Sequence, residues 1–342
     1  MIRSARRSSI IVALAACVGF CSQVGATVLR MTGSISGPDG GWDYATVDPA
    51  THMLFVARHK GITAVDLRDD RVFPLFVNAK HVHDVLILPD HLMVGSDEGS
   101  SSAELLSSTD GRELASFSVG RKPDAIAYDQ KTGLVAVMNG MDGTVELIDP
   151  LKRVEAGIIG VGGVLEFAQG DGDGQIFVNV ENRNKVAVLD VVHRRVSARY
   201  ALPGCVKPTG LALDTRLGLV LSTCANGRAV ALSTKNGHLV SVVPIGRGPD
   251  AAIFDRRHNL FLIPCGISGV LTIIREDANG TLKYQATVRT AKGARTGALD
   301  PSTGKLYLPT ANFEPRKPGQ WQGDIIPGSF RILVLSPQQL IR

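Results

Sequence analysis

The chain has 342 residues, of which 44% are hydrophobic and 37 are glycine, and its formal net charge is +5. This size is ample for a buried core, so folding requires neither a metal ion nor a disulfide. Few runs have helical periodicity and glycine is frequent, which favours an all-β globular protein.

The first 26 residues have the pattern of a secretory signal. Three arginines precede an apolar run of 11 residues, Ile10–Phe20, and small residues precede Thr27. A bilayer span needs about 20 apolar residues, so no transmembrane segment is predicted. We predict a cleaved signal over residues 1–26 and a periplasmic or secreted protein. A lipoprotein signal ending at Cys17 and a twin-arginine signal at Arg6–Arg7 are the alternatives.

Cleavage of this signal changes the charge balance. It removes three arginines and no acidic residue, which leaves 34 basic and 32 acidic residues and a net charge of +2. A near-neutral mature chain has no electrostatic footprint for nucleic acid. We therefore do not expect a nucleic-acid partner, although local basic patches are compatible with this balance.

The mature chain, residues 27–342, is built from one repeated unit, which is clearest at Pro123–Val161. Short β-rich runs alternate there with turns such as Asp129–Gly133 and Asn139–Gly143, and they predict four antiparallel strands. An aspartate, or its counterpart, closes the first strand of each copy. Seven such residues recur at a period of about 42: Asp48, Asp90, Asp129, Asp171, Asp214, Asp255 and Asp300.

Seven copies of this length predict a single seven-bladed β-propeller with four antiparallel strands per blade. Blade seven has strand signals at Ala294–Leu299, Lys305–Pro309 and Phe330–Leu335, but the chain ends soon afterwards. The N-terminal segment Thr27–Ser36 has strand composition. We predict that it supplies the missing fourth strand and closes the ring, which removes open sheet edges.

The motifs of this repeat resemble a known family. The sequences GRKPD at Gly120–Asp124 and GRGPD at Gly246–Asp250, followed by a Thr-Gly turn and a strand ending in [VL]-[IL]-D, are similar to YncE-like (YVTN-repeat) seven-bladed β-propellers. The resemblance covers residues 27–337, and blade four departs from it. It implies an exported bacterial protein and leaves the ligand open, because members bind different partners.

In such a blade, the links between blades and the loops between the second and third strands lie on one face, which we call the loop-bearing face. The tight Thr-Gly turns lie on the other face. A ring of polar residues begins the innermost strands at the loop-bearing face, and five of its seven members are carboxylates: Asp43, Asp84, Asp124, Glu166, Thr209, Asp250 and Thr296. Such a ring could bind a cation or a basic partner, or it could cap backbone N–H groups of the blades.

Three of the eight histidines belong to this face. His59 lies between strands of blade one, and His81 and His83 lie in the link to blade two, beside Asp84. Imidazoles with a carboxylate suit zinc, copper or iron and could include a general base. Unmetallated, hydrogen-bonded histidines are the alternative, and Arg58 next to His59 would oppose a cation and favour an anion.

Two further groups on this face are candidates for ligand binding. Blade seven carries an insertion, residues 311–329, which contains Trp321 and three prolines and could form a lid or a partner-binding arm or remain a solvated loop. Basic residues at blade junctions, among them Lys207 and Arg295, could hold an anionic ligand. A protein partner or a small molecule would fit these features.

Three cysteines survive cleavage of the signal: Cys205, Cys224 and Cys265. Cys205 precedes the first strand of blade five and Cys224 ends its second strand, so antiparallel pairing would bring them together. We predict a Cys205–Cys224 disulfide. Cys265, at the equivalent position of blade six, is the rival partner, and three buried free thiols are the remaining possibility.

Motifs of common enzymes are absent. The sequence contains no G-x-S-x-G elbow, H-E-x-x-H pair, phosphate-binding loop or dinucleotide fingerprint. We predict an exported, monomeric, non-catalytic propeller that binds a ligand or a protein on its loop-bearing face. The alternative is a metal-dependent lyase or lactonase-like hydrolase that uses His59, His81, His83 and Asp84. Nucleic-acid binding, which some YncE-like proteins perform, is the third hypothesis.

Overall fold

The computed structural model describes residues 27–317 and 323–339. The predicted signal and Trp321 lie outside the described residues. Seven four-stranded antiparallel sheets form a ring, which confirms the predicted fold class. One 3-10 turn, Glu181–Arg183, interrupts the strands. Within the described ranges, no helix has the length and apolar character needed to cross a membrane.

The first strand, β1 (Thr27–Ser36), belongs to the last blade, and blade one begins after it. Blade one consists of β2 (Trp42–Asp48), β3 (Met53–Arg58), β4 (Gly61–Asp66) and β5 (Arg71–Asn78). Blade two consists of β6 (Val82–Leu88), β7 (Leu92–Asp97), β8 (Ser102–Ser107) and β9 (Glu113–Ser118). Blade three consists of β10 (Pro123–Asp129), β11 (Leu134–Asn139), β12 (Thr144–Asp149) and β13 (Val154–Gly160).

The next three blades repeat this order. Blade four consists of β14 (Leu165–Gly170), β15 (Gln175–Val180), β16 (Lys185–Asp190) and β17 (Arg195–Ala201). Blade five consists of β18 (Pro208–Asp214), β19 (Leu219–Cys224), β20 (Arg228–Ser233) and β21 (Leu239–Pro244). Blade six consists of β22 (Ile253–Asp255), β23 (Leu260–Cys265), β24 (Val270–Glu276) and β25 (Leu282–Arg289).

Blade seven closes the ring as predicted. Its strands from the axis outwards are β26 (Ala298–Leu299), β27 (Leu306–Thr310), β28 (Arg331–Gln339) and β1. The innermost strand is shorter than the predicted Ala294–Leu299, because the carbonyl of Arg295 accepts hydrogen bonds from the N–H groups of Asp250 and Ala251 in blade six. The backbone at Arg295 thus bonds to the neighbouring blade and not to β27.

The core lies between adjacent blades. The two middle strands of each blade are buried on both faces, as in β11, where Val135, Ala136, Val137 and Met138 are fully buried. In the outermost strands, exposed residues alternate with partly buried ones, and β17 has exposed residues at every second position. Blades therefore stack by their faces, and the outer strands leave one face in water.

A recurring irregularity positions the polar ring at the loop-bearing face. The pairing of the innermost strand shifts register near its start in blades one to five, for example between Pro123 and Ile126 in β10 and between Leu165 and Ala168 in β14. Such bulges re-aim side chains. Asp124 and Glu166 lie in these bulges and thus line a cavity on the axis.

Candidate functional site

A cavity of about 1060 Å³ opens on the loop-bearing face over the axis, and we call it the upper cavity. Its lining includes six acidic and five basic side chains: Asp43, Asp124, Glu166, Glu181, Asp250 and Glu314, and Lys122, Lys207, Lys292, Arg295 and Arg316. Tyr44 lies in the wall of both this cavity and a lower cavity of about 630 Å³ on the opposite side. The Tyr44 ring meets Phe167 edge-on, with centroids 4.9 Å apart, between the two cavities.

Three members of the predicted polar ring connect blades to one another. Both carboxylate oxygens of buried Asp84 accept backbone hydrogen bonds, from Val85 in its own blade and from Ile126 in the next blade. The hydroxyls of Thr209 and Thr296 donate to backbone carbonyls of the following blade, Pro249 and Asp43 respectively. The contacts of these three residues thus stabilise the repeat, which was the alternative to ligand binding.

Three other ring carboxylates face the upper cavity and have cationic partners. Asp124 is 3.1 Å from Lys122 Nζ, and Asp250 accepts a 2.8 Å hydrogen bond from Arg295 Nε. Asp43 lies 3.8 Å from Arg295 NH2 and accepts a 2.8 Å hydrogen bond from His83. The predicted ligand residues Asp124, Asp250 and Arg295 therefore meet in one cavity, and their charges are largely neutralised within it.

Glu166 differs from these three carboxylates. It lines the floor of the upper cavity and is half-buried, yet it has no hydrogen bond or ion pair with any of the described residues. Burial, followed by the negative charges of Asp124 and Asp250, raises its pKa to about 9. The floor thus holds one more carboxyl group than it holds cations to pair with.

The same environment affects the neighbouring acids. Burial raises the pKa of Asp250 to about 6, against the opposing charge of Arg295. Burial also raises the pKa of Asp124, against Lys122 and His83. Addition of a positive charge to this floor would relieve the repulsion among the acids and favour their ionised forms.

The predicted histidine cluster forms. The ring centroids of His59 and His81 are 4.3 Å apart, and those of His81 and His83 are 4.5 Å apart. His83 is nearly buried, His81 is half-buried and His59 is exposed. Partial desolvation of its ring by the neighbouring groups, followed by the charge of His81, lowers the pKa of His59. The three rings follow one another from the rim of the face towards the axis.

Glu98, which sequence reasoning missed, is the carboxylate of this cluster. Its Oε2 accepts a 2.6 Å hydrogen bond from His83 Nε2 and lies 3.3 Å from His81 Nδ1. The other ring nitrogen of His83 donates to Asp43. Burial lowers the pKa of His83, but the hydrogen bond to Asp43 and the charges of Asp124 and Asp43 outweigh it and raise this pKa to about 9.

Two predicted members of the site lie elsewhere. Asp84 does not join the histidines, because its carboxylate is held by backbone N–H groups, and burial raises its pKa to about 7. Arg58 is buried under the Phe330 ring, with its guanidinium 3.9 Å from the ring centroid, and donates to the carbonyls of Pro38, Gly40 and Gly41. Arg58 therefore neither lines the cavity nor faces the histidines.

The remaining predicted residues lie at the rim. Exposed Lys207 lines the upper cavity, 3.3 Å from Glu181. The described parts of the blade-seven insertion form a short ribbon, with a bridge between Phe313 and Ile325, and residues 313–316 join the cavity wall. Phe313 also packs against Trp42, with ring centroids 6.1 Å apart. Whether this insertion moves as a lid stays a prediction.

Cys205 and Cys224 form a disulfide, with Cα atoms 5.4 Å apart. Cys265 is a buried free cysteine, and burial raises its pKa to about 11. The disulfide ties the link that precedes β18 to the end of β19. It therefore fixes the approach to the inner strand of blade five, beside Lys207.

Comparison with solved structures finds the same architecture in several proteins. A chain of the mitotic checkpoint complex is 10% identical, with a TM-score of 0.72, and the match covers 98% of this chain and 99% of that one. The WD40 repeats of RRP9 are 12% identical, with a TM-score of 0.72 and coverage of 92% and 99%. A chain of Kuenenia stuttgartiensis hydrazine synthase is 14% identical, with a TM-score of 0.68 and coverage of 82% and 95%.

These matches support the seven-bladed propeller, and at such identities they show the fold alone. No family model matches the sequence, and no curated protein matches it.

Proposed function

We propose that this protein is an exported, non-catalytic propeller that binds a ligand with a protonated amine in its upper cavity. Glu166 is the observation that carries the proposal. It is the floor carboxylate without a partner among the described residues, and it lies among groups that already neutralise one another. Its raised pKa keeps Glu166 protonated near neutral pH, and a ligand amine would stabilise its ionised form by pairing with it.

The size and the walls of the upper cavity fit such a ligand. A volume of about 1060 Å³ accommodates a small molecule or a short peptide segment. Tyr44 at the floor and Phe313 in the wall offer aromatic surface, which attracts ammonium groups. Exposed Lys292 and Arg316 at the rim would complement an acidic group elsewhere on the same ligand.

The test compares amines with their uncharged counterparts. Putrescine, lysine amide and a Lys-containing tripeptide, each beside its acetylated form, are titrated into the protein by calorimetry. We expect the free amines to bind and the acetylated forms to bind at least roughly tenfold more weakly. Glu166→Gln should weaken amine binding by roughly 10- to 100-fold. Equal affinities in the wild type and Glu166→Gln would refute the assignment.

Glu104→Gln is the matched control. Glu104 is another half-buried glutamate, and burial raises its pKa to about 7, but it lies in β8, outside the lining of the upper cavity. Amine affinity should be unchanged in this variant. Amine binding should also strengthen as the pH rises from about 7 to about 9, by up to about tenfold per pH unit, because Glu166 must give up its proton to pair with the amine.

Export to the periplasm or beyond is part of this proposal. The Cys205–Cys224 disulfide supports it, since disulfides persist in oxidising compartments. Membership of the YncE-like family is supported by the GRKPD and GRGPD motifs. N-terminal sequencing of the mature protein should start at Thr27, and an N-terminus that retains the first 26 residues would contradict the predicted cleavage.

Three other predictions from the sequence stay predictions: a metal-dependent lyase or hydrolase, a monomeric state and the absence of a nucleic-acid partner. The mixed charge of the upper cavity supports the last of these. No constellation among the described residues favours a particular reaction over binding.

A further inference from the structure

Three potential ligand atoms converge beside the upper cavity, in a group distinct from Glu166. His81 Nδ1, His83 Nε2 and Glu98 Oε2 all lie within 4.8 Å of one another. Glu98 Oε2 is 3.3 Å from His81 Nδ1 and 2.6 Å from His83 Nε2. Two imidazole nitrogens and one carboxylate oxygen form a common donor set for zinc and other divalent transition metals.

The spacing is close to what a metal ion needs. Bonds of about 2.0–2.1 Å at tetrahedral angles place ligand atoms about 3.3 Å apart. The His81–Glu98 separation already has this value. The His83–Glu98 separation is that of a hydrogen bond, and it would open by about 0.7 Å when a metal replaces the proton between them. Metal binding therefore releases one proton from His83.

A supporting carboxylate for the ligand histidine is already in place. His83 donates from Nδ1 to Asp43 Oδ2 at 2.8 Å, which leaves Nε2 directed at Glu98. Metal-binding histidines almost always donate their second ring N–H to a carboxylate or a carbonyl, and this bond fixes the ring orientation. Asp43 in blade one thus orients a histidine of blade two.

His81 in the link before β6, His83 at the start of β6 and Glu98 in the loop after β7 are held together before any ion arrives. The Asp97 carboxylate accepts hydrogen bonds from the N–H groups of Lys80 and His81, and the N–H of Glu98 donates to the carbonyl of His81. Any Cβ at Gly99 would collide with the Lys80 side chain, so glycine permits the close approach of the loops. A site held in this way needs little rearrangement to bind an ion.

Nearby cations do not block this group. The guanidinium of Arg58, which the sequence placed beside the histidines, is turned under Phe330. A second possible ligand group, Asp43, His83 and Asp124, is less suited to a metal, because Lys122 and Arg295 already neutralise its two carboxylates.

We propose that His81, His83 and Glu98 bind one zinc-like divalent metal ion, with Asp43 as the positioning residue of His83. The side chains of His81 and Glu98 are about one-third exposed, so solvent or a ligand in the upper cavity can reach the remaining coordination position. This site does not depend on the amine proposal, since Glu166 is not among its residues.

The test uses the mature protein, purified without a metal-binding tag and stripped by a chelator. Zn²⁺ is titrated by calorimetry, and Co²⁺ is followed by its visible absorption, which reports the coordination geometry. We expect one ion per chain and a Co²⁺ spectrum typical of low coordination number. His81→Ala and Glu98→Gln should each weaken Zn²⁺ binding by roughly 100-fold, and Asp43→Asn by roughly 10- to 100-fold.

His258→Ala is the matched control. His258 is also paired to a carboxylate, with Nδ1 2.6 Å from Asp255, but no third ligand atom joins that pair among the described residues. This variant should bind Zn²⁺ as tightly as the wild type, and melting curves should show that all the variants are folded. Failure of the wild type to bind Zn²⁺ at micromolar concentration, or equal affinity in His81→Ala and the wild type, would overturn the proposal.

Discussion

Aspartate side chains have different hydrogen-bonding partners on the two faces of the propeller. On the tight-turn face, Asp48, Asp255 and Asp300 each accept a hydrogen bond from the backbone N–H two residues further along the chain. On the loop-bearing face, the carboxylates of Asp84 and Asp250 reach 42 and 45 residues along the chain, to Ile126 and Arg295 in the next blade.

The aspartates of the first group stabilise single turns, whereas those of the second group hold neighbouring blades together. A carboxylate that caps its own turn stabilises one hairpin and can do so without the rest of the ring. A carboxylate that bonds to the next blade requires the two blades to be packed against each other. Functional geometry on the loop-bearing face therefore depends on how the blades pack, whereas the turns at Asp48, Asp255 and Asp300 depend on local sequence.

Opening the ring should have the largest effect on stability. Deletion of residues 27–37 removes β1, the outermost strand of blade seven, and exposes the edge of β28. We expect the loss of most of a typical stability of about 5–15 kcal/mol, with aggregation. Thermal melting, with the intact chain from Thr27 as control, measures the effect, and unchanged melting would contradict the role of β1 in closure.

Removal of a carboxylate that links blades should cost less. Asp84→Ala leaves the buried N–H of Ile126 without its acceptor. We expect a loss of about 2–3 kcal/mol in the free energy of unfolding, measured by urea denaturation at neutral pH. A loss as small as that of a turn variant would show that the two faces do not differ in this respect.

One pair of carboxyl groups on the tight-turn face lies between two blades, like the carboxylates of the loop-bearing face. Glu276 of blade six accepts a 3.3 Å hydrogen bond from Arg216 and lies beside Asp214 of blade five, and burial, followed by the interaction with Asp214 and its charge, raises the pKa of Glu276 to about 8. The folded chain keeps a proton that the unfolded chain loses near pH 4.5. The stability that this proton contributes to the folded chain is complete below about pH 4.5 and is lost as the pH rises through about 8.

Glu276→Gln cannot lose that proton. The stability of the wild type relative to this variant should therefore fall by roughly 1–2 kcal/mol between about pH 5 and about pH 9. Melting temperatures of both proteins across this range provide the measurement, and parallel pH profiles would argue against a shared proton. Asp214 accepts hydrogen bonds from Arg216, which lower its pKa despite its burial, and it keeps its charge throughout.

The smallest effect is expected for a turn cap. Asp300→Ala removes the acceptor of the Ser302 N–H and of two hydroxyls, but Ser302 and Thr303 are exposed, so water can replace the buried carboxylate as their acceptor. We expect a loss of about 1 kcal/mol by urea denaturation. A loss equal to that of Asp84→Ala would again remove the distinction between the faces.

The fold could be predicted from the sequence because its signals are local and repeat. The period of about 42 residues predicted seven blades, and the strand composition of Thr27–Ser36 predicted the closing strand, both of which the structure confirms. The short β26 was not predictable in this way, since hydrogen bonds from another blade shorten it.

The site could be predicted only in part, because it depends on contacts between blades. The adjacency of the loops correctly predicted that His59, His81 and His83 lie together. The bulge in β6, however, directs the side chains of His83 and Asp84 to different partners. Glu98 lies on the second-to-third-strand loop of blade two, the same kind of loop that carries His59, and this position was the available signal. The burial of Arg58 depends on Phe330 of blade seven, which no local pattern reveals.

The aromatic contact between Tyr44 and Phe167 lies at the floor of the upper cavity. A ligand that enters the upper cavity from the loop-bearing face therefore passes the rim before it reaches Tyr44. Under the proposed function, residues 313–316 of the insertion, which form part of the wall at the rim, would control how fast a ligand leaves, and Glu166 and its neighbours would determine its affinity. Changes in the insertion can thus alter how long a ligand stays without altering the groups that recognise it.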